Sequence, residues 1–217
     1  MNEQRYHRQL DIIPLERLQK AKVTVIGCGA VGSFTAFTLA KMGVEHITIY
    51  DDDTVTEHNL PNQLFRIKDV GRQKVTALKE ITQEFHGIGV KTRGKYIDQP
   101  LGGIVVVTVD SMDARISIWE RVKYNPNIDL FVDSRMGAEV GRIITIHPTD
   151  PSGVNAYEQT LHSSREALQA RCTEKTIIYT VLGIASSICG KVKKHLAGQT
   201  FHKSITLDFR QAILLQQ

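Results

Sequence analysis

Short β-branched runs and longer segments with helical apolar spacing alternate along this chain. Lys22 to Ile26 (KVTVI) reads as a strand that stops at Gly27, and Ala30 to Lys41 has the spacing of a packed helix. His46 to Tyr50 (HITIY) reads as a second strand, ending at Asp51, Asp52 and Asp53 and completing a right-handed strand-helix-strand unit. Thr54 to Val70 is polar and irregular. From Gly71 to Phe85, apolar Val75, Leu78, Ile81 and Phe85 recur at three or four residues, which predicts an amphipathic helix. Further strands are expected at Val90 to Tyr96, Ile104 to Val109 and Leu130 to Ser134, with a helix from Met112 to Lys123. After a turn at Met136 to Val140, Gly141 opens a strand (RIITIHP), and Pro148 to Gly153 (PTDPSG) breaks the chain. Val154 to Glu174 is polar and suits a mobile helix or lid. Ile177 to Leu196 is a strongly apolar helix, and Ser204 to Phe209 a last strand before the tail AILLQQ.

This alternation predicts a doubly wound, Rossmann-like α/β fold: a mostly parallel sheet, helices on both faces and a C-terminal extension of mixed strands. One domain over residues 1–217 is expected, with an N-terminal arm at 1–20, a nucleotide-binding core at 21–147, a polar crossover at 148–175 and a terminal helix and strand at 176–217. A chain of 217 residues, 41% hydrophobic and 23% charged, can bury one substantial core. No stretch approaches the roughly 18 apolar residues of a membrane helix, so a cytoplasmic protein is expected. Cys28, Cys172 and Cys189 form an odd set without CxxC spacing, which argues against a disulfide framework or a cysteine-rich zinc site. The net charge of +4 favours an acidic partner or a nucleotide. No aromatic-interleaved basic stripe accompanies it, so nucleic-acid binding is not expected.

The chemistry starts at Gly27-Cys28-Gly29-Ala30-Val31-Gly32, a GxGxxG directly after a strand and opening a helix. There, bare backbone can approach phosphates and the helix N-terminus offers N–H donors. Asp51 ends the next strand, at the position for holding ribose hydroxyls. NAD, FAD and ATP all share the ribose and phosphates that this motif reads.

The following loop narrows the choice. Asp51-Asp52-Asp53-Thr54-Val55, then Asn59-Leu60-Pro61-Asn62-Gln63, then Val70-Gly71-Arg72-Gln73-Lys74, resemble the DxDxVxxxNLxRQ and VGxxK elements of the ThiF/MoeB/HesA family, the ubiquitin-activating-enzyme-like adenylyltransferases. Arg5-Tyr6-His7-Arg8-Gln9 is similar to the family's RYxRQ, and Asp110-Ser111-Met112-Asp113-Ala114-Arg115 resembles its DxxDNxxxR. The resemblance covers residues 5 to 145. It implies attack of a C-terminal carboxylate on the α-phosphate of Mg-ATP, with pyrophosphate leaving. The expected carboxylate is the Gly-Gly end of a ubiquitin-like or sulfur-carrier protein; a peptide or a modified nucleoside on RNA is also compatible.

Carried over residue by residue, the resemblance puts Gly27, Gly29, Gly32, Asp51 and Asn59 around the nucleotide. Asp53 stands either among them or as a cap of the loop. Lys74 would meet phosphate oxygens, and Arg8 would reach the β and γ phosphates from the other subunit of a homodimer, with Arg5 a lesser candidate. Asp113 would hold magnesium, with Asp110 able to exchange roles. Cys172 falls where relatives carry a cysteine that forms a thioester or acyl disulfide; an ordinary thiol is the alternative. The family arginine of NLxRQ is Asn62 here, with Arg66 and Arg72 as candidate substitutes, and the paired CxxC motifs that hold zinc in relatives are missing, so no zinc is expected. Two other readings remain: a non-catalytic nucleotide-binding subunit of a heteromeric activating enzyme, and an NAD-dependent oxidoreductase, which would leave Arg8, Asn59, Lys74 and Asp113 without a shared purpose.

Overall fold

The computed structural model describes residues 3–162 and 176–216. After a 3-10 segment at Glu3–Gln9, the chain runs α1 (Leu15–Lys20), β1 (Lys22–Ile26), α2 (Ala30–Met42) and β2 (His46–Tyr50). It continues through α3 (Lys74–His86), β3 (Lys91–Arg93), β4 (Gly103–Val107), α4 (Met112–Val122), β5 (Ile128–Gly137) and β6 (Val140–Ile146). The remaining elements are α5 (Pro151–Glu158), α6 (Ile178–Leu196), β7 (Ser204–Asp208) and β8 (Ile213–Gln216). The strands form one sheet in the order β3-β2-β1-β4-β5-β6-β7-β8. The first five are parallel; β6, β7 and β8 add on antiparallel, the mixed extension that the sequence predicts.

Alternation along each strand divides the core into two layers. Val23, Val25, Ile47, Ile49, Ile104, Val106, Leu130 and Val132 face one side, with α2, α3 and α6. Ile26, Val105, Val107 and Phe131 face the other, where Trp119 of α4 and Tyr157 of α5 close over them. Helix α2 therefore leaves β1 toward one face while α4 leaves β4 toward the other. Neighbouring strands whose crossovers diverge in this way leave a crevice at their carboxyl ends, the place where doubly wound sheets bind ligands.

Four local expectations change. PTDPSG starts a helix: Asp150 caps α5 through the Ser152 N–H, and Pro151 fits the first turn, where no N–H is needed. Helix α3 begins at Lys74 and not at Gly71, because Gly71 has φ +84 and Gln73 bridges back to Thr54. The strand expected over Val90 to Tyr96 is only Lys91–Arg93. The tail pairs as β8, an edge strand whose Ile213, Leu214 and Leu215 are all exposed.

The N-terminal arm is also folded onto the domain, since Tyr6, Ile13 and Leu18 are buried. Arg5 donates to the carbonyl of His86 at 2.6 Å, and Tyr6 packs at Gly43, just past the end of α2. The His86 ring is buried edge-on to Phe37. Burial, aided by Lys41 and Arg5, pushes its pKa down to about 4. The folded state thus binds fewer protons at His86 than the unfolded chain does. This residue's share of stability is present above about pH 6.5 and falls as pH drops toward 4. Urea denaturation at pH 7 and pH 5 is expected to show a smaller loss of stability on acidification in His86→Gln than in the parent.

Candidate functional site

The crevice is built from backbone first. Gly27 leaves β1 with φ +94, a conformation that costs a side-chain-bearing residue, and a Cβ there would lie 2.9 Å from the Thr108 carbonyl oxygen. Gly32, in the first turn of α2, has even less room: its Cβ would sit 1.9 Å from the Gly27 oxygen and 2.5 Å from Thr108 Oγ1. Thr108 Oγ1 in turn donates to the Gly27 carbonyl at 2.7 Å, tying the end of β4 to the end of β1. Gly29 differs from both. A Cβ there meets nothing closer than Gln63 Nε2 at 4.0 Å, so an open shelf lies against the N-terminus of α2. Two glycines close the turn and the third leaves space for phosphate.

Asp51 braces this turn. Its Oδ2 accepts the Cys28 N–H at 2.6 Å and its Oδ1 the Asp53 N–H at 2.8 Å. Each oxygen keeps a lone pair for a ribose hydroxyl. Burial raises the carboxyl pKa above the ordinary range, against the lowering effect of those bonds and of Lys74. Cys28 is wholly buried under the turn, and burial drives its thiol well up, out of the reactive range.

Lys74 opens α3 with its side chain only 7% exposed, and Nζ pairs with Asp53 Oδ2 at 2.7 Å. Asp53 therefore holds the lysine, a part that neither of its sequence readings assigned. Asn59 is buried, and its Oδ1 accepts both the backbone N–H of Thr56 (3.0 Å) and its hydroxyl (2.9 Å). Asp51, Asp52 and Asp53 together form an acidic trio with carboxylate oxygens in reach of a shared cation. Two of the three already carry the bonds just described.

On the other wall, β4 ends at Val107, and the loop through Val109 leads to Asp110 and Asp113, both exposed, with Ser111 capping α4. Sequence reading missed what holds this loop. Arg115 is buried and bonds Asp133 Oδ1 at 2.6 Å, the Val109 carbonyl at 2.7 Å and the Ser134 carbonyl at 2.9 Å. Arg135 takes the other oxygen of Asp133 at 2.9 Å and reaches Thr160 beyond α5. A lone acid within the apolar run LFVDS was the available signal, because carboxylates are almost never fully buried unpaired.

Arg8, Arg66 and Arg72 lie apart from this cluster. Arg8 is exposed on the N-terminal segment, which is anchored at the far ends of α2 and α3. The thirteen residues of α2 put that end about 20 Å from the glycine shelf, out of reach of an arginine from the same chain. Cys172 lies outside the described residues. Arg66 and Arg72 do not take over the cation lost at Asn62: Arg66 pairs with Asp69, Glu80 and Glu84, and Arg72 with Asp69 and Glu80. Glu80 and Glu84 stand roughly 9 and 15 Å along α3 from Lys74, so these guanidinium groups are drawn away from the crevice. Asn62 itself donates to Thr176 Oγ1.

Residues 6–211 match the ThiF family. The chain belongs to that family. Among ThiF-related sequences, it is 42% identical over 82 residues to the probable adenylyltransferase/sulfurtransferase MoeZ of Mycobacterium tuberculosis, covering 35% of this chain and 21% of MoeZ. It is also 42% identical over 66 residues to the tRNA threonylcarbamoyladenosine dehydratase of Bacillus subtilis, covering 30% of this chain and 26% of that protein. The matches thus span about a fifth to a quarter of these relatives. Its ThiF fold is shared with the crystal structure of E. coli MccB with ATP, at TM-score 0.79 and 18% identity over 100% of this chain and 71% of that one.

The glycines of this ThiF-family site are separable by experiment. Gly29→Ala is expected to melt near the parent temperature and to lose at least about tenfold in nucleotide affinity, since its methyl enters the open shelf. Gly32→Ala is expected to lose roughly 2 kcal/mol or more of stability by overpacking. Thermal melts and calorimetric ATP titrations of the two variants check both outcomes.

Proposed function

We propose that this protein is an adenylyltransferase that activates a terminal carboxylate with ATP. The observation that carries this reading is the open shelf at Gly29 between two charged walls: buried Lys74 on one side and exposed Asp110 and Asp113 on the other. In the proposed reaction a carboxylate oxygen bonds to the α-phosphorus, the bond from that phosphorus to the bridging oxygen breaks, and pyrophosphate leaves. The nucleophile is already an anion at neutral pH, so the barrier lies in bringing two anions together, and fixed positive charge lowers it more than a base would.

Asp51 holds the ribose, the N–H groups at the start of α2 meet phosphate, and Asn59 donates its amide hydrogens to the nucleotide. Lys74 leaves Asp53 for a phosphate oxygen. Asp113, with Asp110, offers the hard oxygen donors suited to magnesium, which when bound neutralises phosphate charge. Arg8, being distant from its own shelf, serves the site of a second copy, which makes a homodimer the working unit.

Relatives named adenylyltransferase and sulfurtransferase, MoeZ and uba4 of Neosartorya fischeri, and one named ubiquitin-like modifier-activating enzyme, ATG7 of Kluyveromyces lactis, fit our reading of a sulfur-carrier or ubiquitin-like substrate, whose Gly-Gly end is part of the proposal. MccB, which shares the fold, was crystallised with MccA, and a carboxylate other than that of a carrier protein stays within the proposal. A second reading, a nucleotide-binding subunit without turnover, is favoured by Asn62 together with the diversion of Arg66 and Arg72 into Asp69 and α3.

ATP:pyrophosphate exchange with magnesium and candidate Gly-Gly proteins tests both readings. Carrier-dependent exchange is expected, and Lys74→Ala should lower it by roughly 10²-fold or more, the scale for one lost transition-state contact. ATP binding without exchange for any carrier would instead support the non-catalytic subunit. Arg8→Ala and Asp113→Ala should each be inactive alone. Mixed in equal amounts and allowed to re-pair, they should recover roughly a quarter of parent activity, because a two-fold dimer of one of each carries one intact site.

A further inference from the structure

We infer that Asn62 is a positioning residue: it fastens the loop after β2 to Thr176, where the family motif has an arginine, and so sets the nucleotide-facing part of that loop. The inference rests on the adenylation reading above. Between the 3-10 turns at Glu57–Asn59 and Ile67–Asp69 the loop has no helix or strand ladder of its own. The N–H groups of Asn62 and Gln63 bond locally, to the Asn59 carbonyl at 3.2 and 2.9 Å. The Leu64 N–H then reaches Ser33 Oγ on α2 at 3.2 Å. Among the described residues, the one long-range hydrogen bond from residues 60–63 runs from the Asn62 amide to the Thr176 hydroxyl, 114 positions on.

Thr176 is a firm anchor. It bridges to Ala138 in the turn between β5 and β6, and Glu139 of that turn accepts the Tyr179 hydroxyl from the first turn of α6. The tie therefore joins the loop on the α3 side of the crevice to the carboxyl end of β5. Its immediate neighbour is the Gln63 amide, whose Nε2 is 4.0 Å from where a Gly29 Cβ would stand, and Asn59 lies one turn before it. Holding residue 62 thus sets where both of these groups stand. The short side chain cannot serve two ends. Its donor group is turned to Thr176, and its Oδ1 is a buried acceptor without a partner among the described residues, with nothing to offer a phosphate. An arginine would present five donors and a full charge there. Position 62 supplies geometry in this chain, and not charge.

Calorimetric titration of the full chain with ATP and magnesium, set beside urea denaturation of the same variants, tests this without a carboxylate substrate or turnover. Asn62→Ala and Thr176→Val are each expected to weaken ATP binding about tenfold, the scale of one hydrogen bond, and the double variant no further than either alone. Thr176→Ser keeps the hydroxyl and should keep the parent affinity. Asn62→Arg, which brings back the family's cation, should bind ATP no more tightly than the parent, because a side chain drawn to phosphate gives up Thr176. A merely structural part for Asn62 would lower the urea midpoint of Asn62→Ala and Thr176→Val while leaving their ATP affinity at the parent value, and that result would overturn the inference. So would additive losses in the double variant, or tighter ATP binding by Asn62→Arg. If the parent itself binds no ATP, the adenylation reading fails and the inference fails with it; parent-like affinity in the single variants sinks the inference alone.

Discussion

The contact between the ends of β1 and β4 constrains everything else at the site. Gly27 and Gly32 are packed so closely against each other and against Thr108 that neither can carry a side chain, and the Thr108 hydroxyl bonds into the same turn. This fixes the direction in which α2 departs. It also fixes the separation between the helix N-terminus and the loop after β4, the two surfaces between which a nucleotide would lie. A wider turn would still leave a doubly wound sheet, but its crevice would lack the narrow fit that backbone N–H groups need to reach phosphate.

Both loops that wall the crevice are secured by the same device. Asp69 is completely buried and gripped by Arg66 and Arg72 in the segment before α3; Asp133 is completely buried and gripped by Arg115 and Arg135 beneath the segment before α4. Removing a carboxylate from water costs several kcal/mol, and such clusters add little net stability compared with apolar packing. What they add is direction: planar, forked bonds hold irregular backbone in one arrangement where no helix or strand ladder does so. In the first loop this has a chemical cost. Arg66 and Arg72, the arginines that follow the position of the missing family arginine, are engaged in holding the loop.

Much of this was legible in the sequence. Strand-helix alternation, the glycine turn and the acid at the end of the second strand express local periodicity and backbone geometry, and they gave the parallel core, the crevice and the positions of Gly27, Gly29, Gly32 and Asp51. Lys74 and Asn59 came from the order of motifs. Residues whose meaning depends on distant partners were not legible. Asp53 read as a cap or a ligand because nothing in its neighbourhood announces Lys74, twenty-one positions on. Arg66 looked available because Glu80 and Glu84 come close only once α3 has folded. Pro151 read as a break because proline opens helices as readily as it ends them, and the Asp150 cap decides between the two. The tail AILLQQ lacks strict alternation, and it becomes a strand because β7 offers it an open edge.

The pairing of Lys74 with Asp53 has a consequence for selectivity. Lys74 carries its own counter-ion, so the crevice is not an unshielded positive well. An inorganic anion that offers only a single charge gains little by displacing a carboxylate already seated at 2.7 Å. Under the proposed function, a ligand would succeed by delivering several phosphate oxygens together with a base and ribose that dock elsewhere, so that the exchange at Lys74 would be driven by contacts remote from it. Under the proposed function, Asp53 would work as a threshold that a whole nucleotide passes and abundant simple anions do not.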